Sequence, residues 1–107
     1  MAKPARLFKV SFLNQGRVYE LYARRVGASD VLGFTEIADL VFEPGGLVVD
    51  PIEERLREEF RDTRVLHLPM HAVLRIEEVD RRGPMAIRDA ATGEKIMPFP
   101  MPTPRGA

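Results

Sequence analysis

Cysteine is absent from all 107 residues, which removes disulfides, thiol nucleophiles and cysteine-based metal sites. A charge excess is also missing: 16 basic residues balance 16 acidic ones, for a formal net charge of zero. Nucleic-acid-binding domains usually carry a basic surplus, because phosphate neutralisation supplies much of their affinity. Here only a local patch could serve. Long apolar runs are lacking too, none nearing the roughly 20 residues a membrane-spanning helix needs. Lys9 and Ser11 interrupt the segment after the basic Met1–Arg6 stretch, so no secretory leader is expected and the cytosol is the default location.

What is present fits one small globular domain, since apolar residues make up 45% and charged residues 30% of a chain too short for two cores. From Leu7 to Leu13, Phe8, Val10 and Phe12 alternate with Lys9 and Ser11, the period of a half-buried strand. Asn14-Gln15-Gly16 tolerates positive φ, and Val18–Arg25 resumes an extended pattern, so the two stretches predict a β-hairpin. Residues 31–42 fit two periods. Phe34, Ala38, Leu40 and Phe42 suit a strand face, while Val31, Phe34, Ile37, Ala38 and Val41 sit at helical spacing. Gly33 and the β-branched and aromatic content favour a long, bent strand.

Glu43-Pro44-Gly45-Gly46 is a break, and Leu47-Val48-Val49 has the makings of a short strand. A helix is predicted over 51–60. Asp50 is a cap, Pro51 suits the first helical position, Glu53 completes an Asp-x-x-Glu box, and Ile52, Leu56 and Phe60 form one apolar stripe on an otherwise wet surface. Further strands are predicted at Val65–Leu68, Ala72–Val79 and Pro84–Asp89, with Pro69-Met70-His71 interrupting the first pair. From Met97 to Pro104 proline alternates with mainly apolar residues, which forbids a helix or interior strand and predicts an extended tail over 97–107 beyond a β-rich domain at 1–96.

Candidate chemistry is sparse. His67 and His71 would lie about 13 Å apart in an extended chain, too far to share a metal. They read as polar strand-edge residues. Ser11 and Ser29 sit in no nucleophile elbow, and Ser29 suits a turn. The paired carboxylates Glu53-Glu54, Glu58-Glu59 and Glu77-Glu78 are interleaved with arginine and read as solvated faces. Gly45-Gly46 lacks the Lys-Ser/Thr successor of a phosphate loop. No catalytic residue, cofactor or metal is therefore assigned.

Two binding surfaces are open. One combines Pro69, Met70 and His71 with Met97, Phe99 and Met101 of the tail, because large apolar groups on a polyproline backbone lose little entropy on docking to a protein. The other gathers Arg17, Arg24, Arg25, Arg81 and Arg82 beside Tyr19, Tyr22, Phe8 and Phe12, the pattern with which small barrels stack single-stranded nucleic acid.

Several segments together resemble a family. Phe8-Lys9-Val10-x-Phe12-x-Asn14-Gln15-Gly16-x-Val18-Tyr19-Glu20-Leu21-Tyr22-Ala23-Arg24 resembles the opening of the proteobacterial family known as domain of unknown function 1820. Gly33-Phe34-x-Glu36, Val48-Val49-Asp50-Pro51-x-Glu53-Glu54-x-Leu56, Leu68–Val79 and Pro98-Phe99-Pro100-Met101-Pro102 continue the likeness. It implies a bacterial cytosolic protein and no catalytic activity. Val65–Ile76, centred on Leu68-Pro69-Met70-His71-Ala72-Val73-Leu74, is also similar to a stretch of stringent starvation protein B, an Sm-like barrel adaptor that delivers substrates to a bacterial AAA+ protease. The acidic tail of that adaptor has no counterpart in the proline-rich one here.

The expectation is a mainly β (α+β) domain, either a strongly bent antiparallel sheet or an Sm-like or SH3-like barrel, with one short helix. It would act as a non-catalytic binding or adaptor module for a protein or peptide, or alternatively bind RNA. Unpaired strand edges would invite homo-oligomers.

Overall fold

The computed structural model describes residues 5–43 and 50–96. The Leu47–Val49 strand and the tail contacts Met97, Phe99 and Met101 lie outside them. Six strands and one helix follow in the order β1 (Phe8–Asn14), β2 (Arg17–Ala28), β3 (Phe34–Leu40), α1 (Pro51–Glu59), β4 (Val65–Pro69), β5 (Val73–Glu78) and β6 (Ala86–Asp89).

The hairpin forms as its sequence predicts. Asn14 pairs with Arg17, and Gln15 and Gly16 make the two-residue loop with φ of 54° and 78°. Positive φ at both central positions is the turn whose twist matches a hairpin. Residues 34–40 are a strand, paired to β2 on one side and β4 on the other. Both helical and extended periods fit this stretch, so pairing with the neighbouring β2 and with the distant β4 decides between them.

All pairings are antiparallel, in the order β4-β3-β2-β1-β5, with β6 added on β2. β2 is long enough to hold β1 along one edge while β6 (at Arg17–Glu20) and β3 (at Ala23–Ala28) follow one another on its remaining edge. A single 3-10 turn, Met70–Ala72, joins β4 to β5, the two outermost strands. Laid flat, those strands would be about 19 Å apart, whereas a turn of this kind advances only about 8 Å from Pro69 to Val73. The sheet must curl. Among the described residues its edges nevertheless stay unpaired, so the sheet is open and bent and is not closed into a barrel.

The concave core contains Val10, Phe12, Leu21, Ile37 and Ile87, all nearly without exposure. Helix α1 closes it with Leu56 and Phe60; Phe60 meets Tyr19 edge-on, and Tyr19 tilts against Phe12. Asp50 caps the helix by accepting from the backbone N–H groups of Ile52 (3.0 Å) and Glu53 (3.4 Å). Glu53 departs from the sequence expectation. Its carboxylate is buried among other partners, so the helix has a cap without the reciprocal box, and its polar side is not uniformly wet.

Candidate partner-binding site

The connection that curls the sheet also shapes its surface. The Met70 N–H donates to the Gly33 carbonyl at 2.9 Å, fixing the 3-10 turn against the start of β3. The Met70 side chain stays exposed, at 62%. Beside it opens an apolar groove of about 390 Å³. Phe8 of β1, Val26 of β2, Phe34 of β3 and Ile76 of β5 line it, and Arg6 stands over the Phe8 ring at 4.8 Å. Gly27 and Ala28 on β2 line it with little bulk. Arg6 also forms a two-bonded ion pair with Glu78, at 2.9 and 3.1 Å, which holds the Glu78 carboxyl below its ordinary value.

Met70 is thus brought to a groove, while Pro69 ends β4 half-buried and His71 is exposed in the turn. His67 lies on the outermost strand β4, its Nδ1 2.6 Å from Ser29 Oγ, which also accepts the Val31 N–H at 2.9 Å. This Ser–His contact, between residues 38 apart, has no sequence signal. A nucleophilic triad needs a carboxylate on the second ring nitrogen, and among the described residues His67 has no such bond.

The five arginines are dispersed. Arg17 opens β2 opposite Asp89, about 23 Å along the strand from Arg24. Arg24 donates to the Arg6 carbonyl, Arg25 pairs with Asp39 at 3.1 Å, and Arg81 is exposed on the β5–β6 connection. Arg82 has left the surface. Its side chain is 11% exposed, bonded to Glu53 at 2.5 Å and Glu43 at 3.2 Å, and stacked over Tyr22. Glu53 also accepts the Glu43 N–H and faces Arg57, whose guanidinium donates to the Glu43 carbonyl. The aromatics expected to stack bases, Phe8, Phe12, Tyr19 and Tyr22, are all buried. Neither the Glu53–Arg82 pair nor the groove was visible in the sequence, because each joins segments far apart in the chain.

A second, smaller apolar groove of about 240 Å³ lies between the start of α1 and β6, along Pro51, Ile52, Met85 and Ile87. It holds no cluster of ionisable groups. Among the described residues no group of three or more His, Cys, Asp or Glu could hold a metal, and no helix is long and apolar enough to cross a membrane.

The sequence profile of domain of unknown function 1820 matches residues 6–101. The chain belongs to this family. The match runs from the rim of the groove at Arg6 through every strand and into the tail. No curated protein and no solved structure gives a match. The likeness of Val65–Ile76 to the starvation-protein adaptor thus gains no support from known sequences or structures.

Proposed function

We propose that this protein is a non-catalytic binding or adaptor module, and that the groove beside Met70 receives an apolar side chain of a protein or peptide partner in the bacterial cytosol. The observation that carries the reading is the groove itself, where an exposed methionine overhangs a concave, largely apolar surface on a rigid sheet. Such pockets anchor a partner through one or two buried side chains while the surroundings exclude water. Pro69 and His71, the chain neighbours of Met70, would add contacts beside it, and Met97, Phe99 and Met101 of the tail would add a second contact. The Sm-like adaptor likeness of Val65–Ile76 agrees, since this segment carries the turn at the groove. The arginines expected to bind RNA are spread over the molecule, and two of them, Arg25 and Arg82, carry carboxylate partners, which weighs against that alternative.

A photo-crosslinking residue in place of Met70, in living bacteria, tests the reading. A discrete adduct with a protein other than this chain is expected, surviving RNase and missing when the crosslinker replaces Glu58 on the exposed side of α1. Absence of an adduct, or one that vanishes with RNase, would remove it. Truncation after Ile96, which keeps the Ile96 N–H bonded to the Ile87 carbonyl, should weaken the same adduct. An unchanged adduct would refute the tail's part.

A further inference from the structure

The outer edge of β5 carries the features of a self-pairing strand. Among the described residues β5 pairs with β1 alone and ends the sheet. The edge exposes Leu74 and Ile76, at 51% and 44%, on either side of Arg75. Exposed edges are normally blunted by charged side chains, lysine above all, by proline, by bulges or by a covering loop, because their free N–H and C=O groups recruit another strand. β5 has no lysine and no proline, and its charges, Arg75, Glu77 and Glu78, are of both signs and can therefore complement a second copy.

Which groups point outward follows from one hydrogen bond. The Val79 N–H donates to the Leu7 carbonyl at 2.8 Å, in register with Phe8 opposite Glu78 and Lys9 opposite Glu77. Backbone polarity alternates along a strand. Val79, Glu77 and Arg75 therefore turn their N–H and C=O groups toward β1, and Glu78 and Ile76 turn theirs outward. A second copy pairing antiparallel across a two-fold axis must set outward residues opposite outward ones, which excludes any axis falling between two residues. An axis at Arg75, Glu77 or Glu78 would put identical charges directly opposite each other, a destabilising arrangement. An axis at Leu74 would fall on the bulge between Ser11 and Phe12, where the ladder breaks step. An axis at Val73 would run the pairing into the Met70–Ala72 turn, which leaves the axis at Ile76, whose ladder meets the bulge only at its ends.

That register is complementary. Ile76 lies opposite its own copy in a doubly hydrogen-bonded pair, and Arg75 of each copy lies opposite Glu77 of the other. Within one chain Arg75 and Glu77 already share a face, with Nε to Oε1 at 3.1 Å, so the two copies would form one alternating four-charge row. We infer that the protein forms a symmetric homodimer by antiparallel pairing of β5 with β5 of a second copy, centred on Ile76. The inference rests on strand register and charge, and the dimer seam shares Ile76 with the groove.

Sedimentation equilibrium on the full chain tests it. The wild type should rise with concentration from 12.1 kDa toward twice that mass, and should do so by about 1 mM even for a millimolar dissociation constant. Arg75→Glu and Glu77→Arg should each stay monomeric, because each sets like charges opposite. Their equimolar mixture, and the double variant, should both dimerise again. Both side chains are exposed, so circular dichroism should be unchanged in every variant, while Glu77→Arg, which faces Lys9 across the ladder, should melt slightly lower. A wild type that stays monomeric, single variants that dimerise like the wild type, or a mixture that fails to recover would each overturn the proposal.

Discussion

Arg82 is a cation held in a place that water scarcely reaches, between the buried Glu53 carboxylate and the Tyr22 ring. A buried pair of this kind adds little net stability, but removing one partner strands the other. Arg82→Met should therefore lower unfolding free energy by about 3 kcal/mol, measured by urea denaturation, and the double change with Glu53→Met should cost less than the single changes summed. Tyr19 offers a pH readout. Burial first, then the charge of Glu59 and the hydrogen bond its hydroxyl donates to that carboxylate at 3.1 Å, push the phenol above its ordinary 10. A raised phenol favours the neutral form in the fold, so this stabilisation is complete below pH 10 and is lost as pH rises through the folded value. Ultraviolet titration should show a tyrosine ionising above 10, and Glu59→Gln should lower it. An unshifted curve in the variant would count against the assignment.

At the level of elements, local signals were legible and non-local ones were not. The hairpin could be read because its alternation and its two-residue turn lie within about twenty residues, and α1 because Asp50, Pro51 and the Leu56–Phe60 stripe are contiguous. Residues 31–42 were ambiguous because both periods fit, and pairing with β2 across residues 29–33 together with the distant β4 selects the strand. Glu53 misled for the same reason: its spacing from Asp50 suits a capping box, yet Arg82, 29 residues on, claims the carboxylate. The Met70 position was legible as a break at Pro69, whereas the groove beneath it needs four strands, β1, β2, β3 and β5. Since Asp50 caps the helix without reciprocal help, Asp50→Ala should cost about 1 kcal/mol, seen as a lower urea midpoint at unchanged slope. A loss near zero would show the cap to be idle.

For the whole molecule, the decisive restraint is the three-residue turn that ties the two outermost strands together. Two glycines inserted after His71 would cost roughly 0.6 kcal/mol or less if the turn were a passive tether. Because the turn enforces the curl and fixes Met70 to Gly33, a clearly larger loss is expected in chemical denaturation, together with altered NMR shifts at Phe34 and Ile76. A loss within the tether value would mean that the core alone bends the sheet. The arrangement around β2 has a kinetic corollary. The hairpin partner on one edge closes over a two-residue loop, while the strands sharing the other edge arrive from residues 34 and 86 onward, at increasing cost in chain entropy. Assembly should thus proceed outward from β2 with β6 docking last, and in the finished protein transient opening should begin where assembly ended.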